Sequence, residues 1–141
     1  MITLTLTFEF KAPRGKVWNA LTDPSMIKKY MFDTNTKTDW KVGSPITFSG
    51  MWDGKPYEDK GTILAIEPGV FLKYNYFSAF SGEADVPGSY SNISYRLRED
   101  NGKTTFTLTQ DNYKSEELRA HSEKNWSQII EVMRSLVETD K

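Results

Sequence analysis

Positions 115–141 contain no glycine or proline, and Trp126, Ile129, Ile130, Met133, Leu136 and Val137 recur within them at intervals of three and four. That spacing puts the apolar residues on one stripe of a long amphipathic helix. At 1.5 Å per residue such a helix reaches ~35–40 Å. Ser115, followed by Glu116 and Glu117, suits its N-cap and first turn. The stripe must be covered, so the rest of the chain has to supply one large apolar face.

The preceding residues supply it as strands. Leu4, Leu6, Phe8 and Phe10 alternate with Thr3, Thr5, Thr7 and Glu9, the period-two pattern of a half-buried strand. Pro13 stands at or near the start of a short helix carrying Val17, Trp18 and Leu21, and Asp23-Pro24 ends it. A second short helix is expected over 25–30, with Met26, Ile27 and Tyr30 as its apolar side. Strands follow at 46–52, 57–66, 70–77, 90–98 and 104–109. Asp53-Gly54 and Asp100-Asn101-Gly102 mark hairpins, because these residues tolerate positive φ. The parity of 57–66 is uncertain and a bulge is expected there. Residues 78–88, with Gly82, Pro87 and Gly88, form a connection. Strands joined by hairpins make an antiparallel sheet.

Composition narrows the chemistry. Eighteen Lys and Arg balance nineteen Asp and Glu, which offers no net basic face for nucleic acid. No cysteine is present, so disulfides, thiolate metal sites and thiol catalysis are excluded. His121 is the one histidine, too little for a zinc site or a nucleophilic triad, and no phosphate-binding glycine loop occurs. No catalytic residues, metal or cofactor are therefore expected. The pairs Glu58-Asp59 and Glu116-Glu117 read as solvated charge, since adjacent strand residues face opposite ways. The first ten residues lack the basic and unbroken apolar regions of a secretion signal, and no stretch is apolar enough to span a membrane, so a cytoplasmic protein of one domain over 1–141 is expected.

The run Ala12-Pro13-x-x-x-Val17-Trp18-x-Ala20-Leu21-Thr22-Asp23-Pro24 resembles the opening of the activator-of-heat-shock-ATPase homologue family of the START-like, or SRPBCC, superfamily. Trp40-x-x-Gly43, Trp52-Asp53-Gly54-Lys55, Lys60-Gly61, Glu67-Pro68, Leu72-x-Tyr74 and the late Trp126 agree in order and spacing. The resemblance covers essentially the whole chain. It implies an α+β helix-grip fold: a curved antiparallel sheet of six to seven strands wrapped around the long C-terminal helix, with two short helices after the first strand. It also implies a hydrophobic cavity between helix and sheet. Family members often carry Gly-Trp where this chain has Asn125-Trp126, which narrows the space beside the helix.

A straight helix laid on a curled sheet meets it at one end and lifts off elsewhere. The gap is either plugged or left as a pocket. The sequence predicts ligand-binding residues Met26, Tyr30, Phe48, Trp52, Tyr74, Tyr76, Tyr95, Phe106, Leu108, His121, Trp126 and Ile129. Tyr74, Tyr76, Tyr95 and His121 would orient the polar end of a small apolar or amphipathic guest. The helix over 26–30 and the connection 78–88 are candidate gates. Two other functions compete: an interaction module for a heat-shock chaperone, implied by the resemblance, and a cyclase- or hydratase-like enzyme, which requires an acid or base inside the pocket.

Overall fold

A computed structural model describes residues 1–138. The alternating N-terminal run forms β1 (Ile2–Phe10), with Leu4 and Phe10 fully buried. Pro13 is the N-cap of α1 (Arg14–Thr22). It has no side-chain oxygen to offer, and the Arg14 N–H donates instead to Glu99 Oε1 at 2.7 Å. Asp23 then caps α2 (Pro24–Tyr30), accepting from the Ser25 N–H at 3.0 Å, with Pro24 in the first turn where its missing donor is harmless.

Six more strands follow: β2 (Asn35–Lys37), β3 (Pro45–Trp52), β4 (Lys55–Glu67), β5 (Phe71–Tyr76), β6 (Ser91–Asp100) and β7 (Lys103–Tyr113). All neighbours pair antiparallel in the order β1-β7-β6-β5-β4-β3-β2. Both predicted hairpins are tight. Asp53 and Gly54 have φ of 52° and 78°, and Asn101 and Gly102 have 54° and 77°, which matches the right-handed twist of the strands they join. The short polar strand β2 was not anticipated.

β4 is the corner of the sheet. Its first part pairs with β3 and its last part with β5, with a register shift between Ile63 and Ala65. The predicted bulge is this shift. At Gly61 the backbone of β5 comes so close that a Cβ would lie 1.7 Å from the Asn75 carbonyl oxygen. Only glycine permits that approach.

The expected terminal helix is α3 (Glu116–Glu138), and Ser115 Oγ accepts from the Leu118 N–H. The predicted extent over 139–141 lies outside the described residues. The helix packs on β1, β7, α1 and α2. Its buried residues, Trp126, Ile129, Ile130, Met133 and Val137, begin only at the middle of the helix. The stretch from Glu116 to Asn125 buries none, and Leu118 there is half exposed. Seating of the helix is therefore one-sided: its main packing on the sheet is against β1 and β7, and the inner residues of β3–β5, such as Ile46, Ile63 and Leu72, are buried without it. No helix among the described residues is long and apolar enough to cross a membrane.

Candidate functional site

The raised first part of α3 and the sheet side facing it border a cavity of about 470 Å³. That lies within the ~300–1,000 Å³ usual for small-molecule sites. His121, Ser122, Asn125, Trp126 and Ile129 line it from the helix. Phe48, Trp52, Tyr57, Asp59, Tyr74, Tyr76, Ile93 and Gln110 line it from the sheet. Met31, Phe32 and Thr34 after α2, and Ser78 and Phe80 after β5, complete the wall. Phe32, Trp52 and Phe80 are each more than half exposed and mark the mouth.

The polar groups of the wall are mostly engaged with one another. Tyr74 and Tyr95 hydroxyls share a hydrogen bond of 2.7 Å. Thr34 Oγ1 and the Tyr57 hydroxyl share one of 2.6 Å, and the Tyr113 hydroxyl holds Ser122 Oγ at 2.6 Å. Trp126 Nε1–H donates to Gln110 Oε1 at 2.9 Å, and Gln110 Nε2–H donates to Ser91 Oγ. The Tyr76 hydroxyl donates to Asp59 Oδ2 at 2.6 Å, and the Ala79 N–H donates to Asp59 Oδ1 at 2.7 Å. Burial first, and the neighbouring Tyr95 second, raise the Tyr74 hydroxyl well above the usual phenol range. Burial and then the Asp59 charge do the same to Tyr76.

Of the predicted residues, Phe48, Trp52, Tyr74, Tyr76, His121, Trp126 and Ile129 stand on the wall. Met26, Tyr30, Tyr95, Phe106 and Leu108 do not. Met26 packs against the core from α2. Tyr30 is buried, donates to the Ala20 carbonyl at 2.8 Å, and borders with Tyr95 a space of only about 10 Å³, barely one water. Phe106 lies among the rings of Phe8, Phe10 and Tyr95, and Leu108 is fully buried. Phe106 and Leu108 belong to β7, on the side of the sheet where α3 is seated, so facing inward there means core, not cavity.

Asp59 is the main correction. Expected as solvated charge, it is 8 % exposed and faces the cavity. Before the register shift, Tyr57, Asp59 and Ile63 share the inner side of β4, while Glu58 and Lys60 are exposed. Of the two candidate gates, the connection contributes Ser78 and Phe80. The helix itself does not reach the cavity, whereas the turn after it does. Among the described residues no group of three His, Cys, Asp or Glu side chains could hold a metal.

The family described as activator of Hsp90 ATPase homolog 1-like protein matches residues 11–138. The solution structure of ChR145 from Cytophaga hutchinsonii is similar at 39% identity, with 96% of this chain and 93% of that chain covered and a TM-score of 0.85. CalU16 from Micromonospora echinospora shares the fold at 21% identity, with 97% and 76% covered and a TM-score of 0.76. The Aha1 dimer from Colwellia psychrerythraea does so at 18% identity, with 100% and 99% covered and a TM-score of 0.78. No curated protein matches the chain significantly.

Proposed function

Since the chain belongs to the family of activator of Hsp90 ATPase homolog 1-like proteins, we propose that it binds one small amphipathic molecule in the cavity under α3. The observation that carries this reading is the cavity itself, about 470 Å³ of space with eight Phe, Tyr and Trp residues on its wall and an aromatic mouth. A guest hiding ~300 Å² of apolar surface would gain about 7 kcal/mol before the costs of association. Binding is favoured over catalysis because Tyr74 and Tyr76 are pushed away from neutral pH, the wrong direction for acid–base work. The buried Asp59 and the wall residue His121 are what support the enzyme alternative.

The test is a thermal-shift and native-mass screen of fatty, aromatic and amine-bearing small molecules. Hits should disappear in Asn125→Trp, which places a bulky ring on the exposed helix side of the cavity. An unbroken absence of bound mass and shift would refute the reading. An interaction module for a chaperone is the second reading, supported by the family description. It predicts a changed Hsp90 ATPase rate that Asn125→Trp leaves untouched.

A further inference from the structure

We propose that the guest is a cation: an amphiphilic primary or secondary amine whose ammonium group sits against Asp59. This rests on the binding reading above and names the chemistry of the same cavity. Among the described residues Asp59 is the only Asp, Glu, Lys or Arg on the cavity wall, which His121 joins from the helix side. Among the described residues, no lysine, arginine or histidine forms an ion pair with it. The adjacent Lys60 is half exposed and pairs with Asp85 outside the cavity.

A buried carboxylate with no counter-charge is expensive to desolvate. The Tyr76 hydroxyl and the Ala79 N–H offset part of that cost and fix the carboxylate's orientation. Each oxygen holds one of these bonds, and each retains a second lone pair for a further donor. An ammonium head supplies both the donor and the missing charge. The surroundings suit it as well. Tyr76 carries the hydroxyl bonded to the carboxylate, and the rings of Phe48, Tyr57 and Phe80 line the same cavity, with Tyr57 and Phe80 centred 5.6 Å apart. Ring faces attract a cation that has lost part of its water. A carboxylate guest meets a fixed like charge, and an alcohol gains one hydrogen bond and no charge.

The experiment is calorimetric titration of the full chain with three matched probes: phenylbutylamine, phenylbutanol and phenylbutyrate. The amine should bind at least about tenfold tighter than the acid, with the alcohol between them. Asp59→Asn should bring amine and alcohol together. There the amide oxygen can accept from Ala79 while the amide N–H donates to the Tyr76 oxygen, so the wall keeps its bonds. Asp59→Glu should keep the preference. Equal affinity for all three probes, or an amine preference that survives Asp59→Asn, overturns the proposal while leaving the cavity a container. Binding of none of the three, together with an empty screen, removes both readings. If Asp59→Asn fails to fold, the ranking on the unaltered chain decides alone: any order without the amine first overturns the proposal.

Discussion

Gly61→Ala should be among the most damaging single-methyl additions in this chain. The new Cβ would start 1.7 Å from the Asn75 carbonyl oxygen, and real Cβ contacts essentially never fall below 3.0 Å. The obstacle is backbone, so no rotamer change relieves it, and β5 must retreat by roughly 1.3 Å against close-packed neighbours. Three hydrogen bonds cross this point: Lys60 N–H to the Phe77 carbonyl at 3.1 Å, Phe77 N–H to the Lys60 carbonyl at 2.8 Å, and Thr62 N–H to Asn75 Oδ1 at 2.7 Å. At about 1 kcal/mol each they contribute ~3 kcal/mol. Residual overpacking adds ~1 kcal/mol or more, giving a loss of about 4 kcal/mol. Urea unfolding should show it as a lower midpoint at an unchanged slope. Gly15→Ala is the control, because nothing lies within 4 Å of a Cβ there and the position is helical. It should be neutral or stabilising by up to ~0.5 kcal/mol. A Gly61→Ala loss below about 1 kcal/mol would refute the claim that the corner depends on this approach.

Three further outcomes are expected. Tyr30, Tyr74 and Tyr95 are buried, and burial is the largest cause raising each hydroxyl, that of Tyr95 to about 12. The unfolded chain loses these protons near pH 10 while the fold retains them, so stability is intact below pH 10 and falls above it. The three together remove up to ~4 kcal/mol per pH unit, and tyrosinate absorbance should rise together with loss of circular dichroism. Tyrosinate absorbance worth more than four of the seven tyrosines before unfolding would contradict the burial of these three. Thr104→Val removes the fully buried hydroxyl that donates to the Ala12 carbonyl at 2.8 Å, and should cost about 1–2 kcal/mol by denaturant titration. Asp85→Asn unfastens residues 78–89, where Asp85 pairs with Lys60 and accepts from the Tyr90 hydroxyl at 2.6 Å. Amide exchange should quicken in that stretch alone, with the global midpoint unmoved.

The elements legible in the sequence are those whose pattern has one physical solution. The alternation of β1 and the spacing of α3 each put apolar residues on a single face. The Asp-Gly and Asn-Gly pairs announce their turns because few other residues accept two positive φ values in succession. β2 has three polar residues at a sheet edge and no pattern to read. The site was legible only in part. Parity tells which way a strand residue points but not what lies above it, so Phe106 and Phe48 read alike although α3 lies over one end of the sheet only. Asp59 was concealed by the bulge at 63–65, which breaks the parity count along β4, and by the ordinary habit of carboxylates to face water. Phe32 lines the mouth from a turn where it and Asp33 take φ of 53° and 65°, values no periodic pattern foretells.

The uneven seating of α3 separates two kinds of evolutionary freedom. Substitutions at the buried Ile130, Met133 and Val137 are tried against the whole fold, whereas those at the exposed His121 and Asn125 are, on the proposed function, tried chiefly against the guest. On that reading a lineage can change cargo by rewriting a few letters of one helical turn while its foundations stay as they were, and a laboratory library randomised at those two positions should remain folded almost throughout.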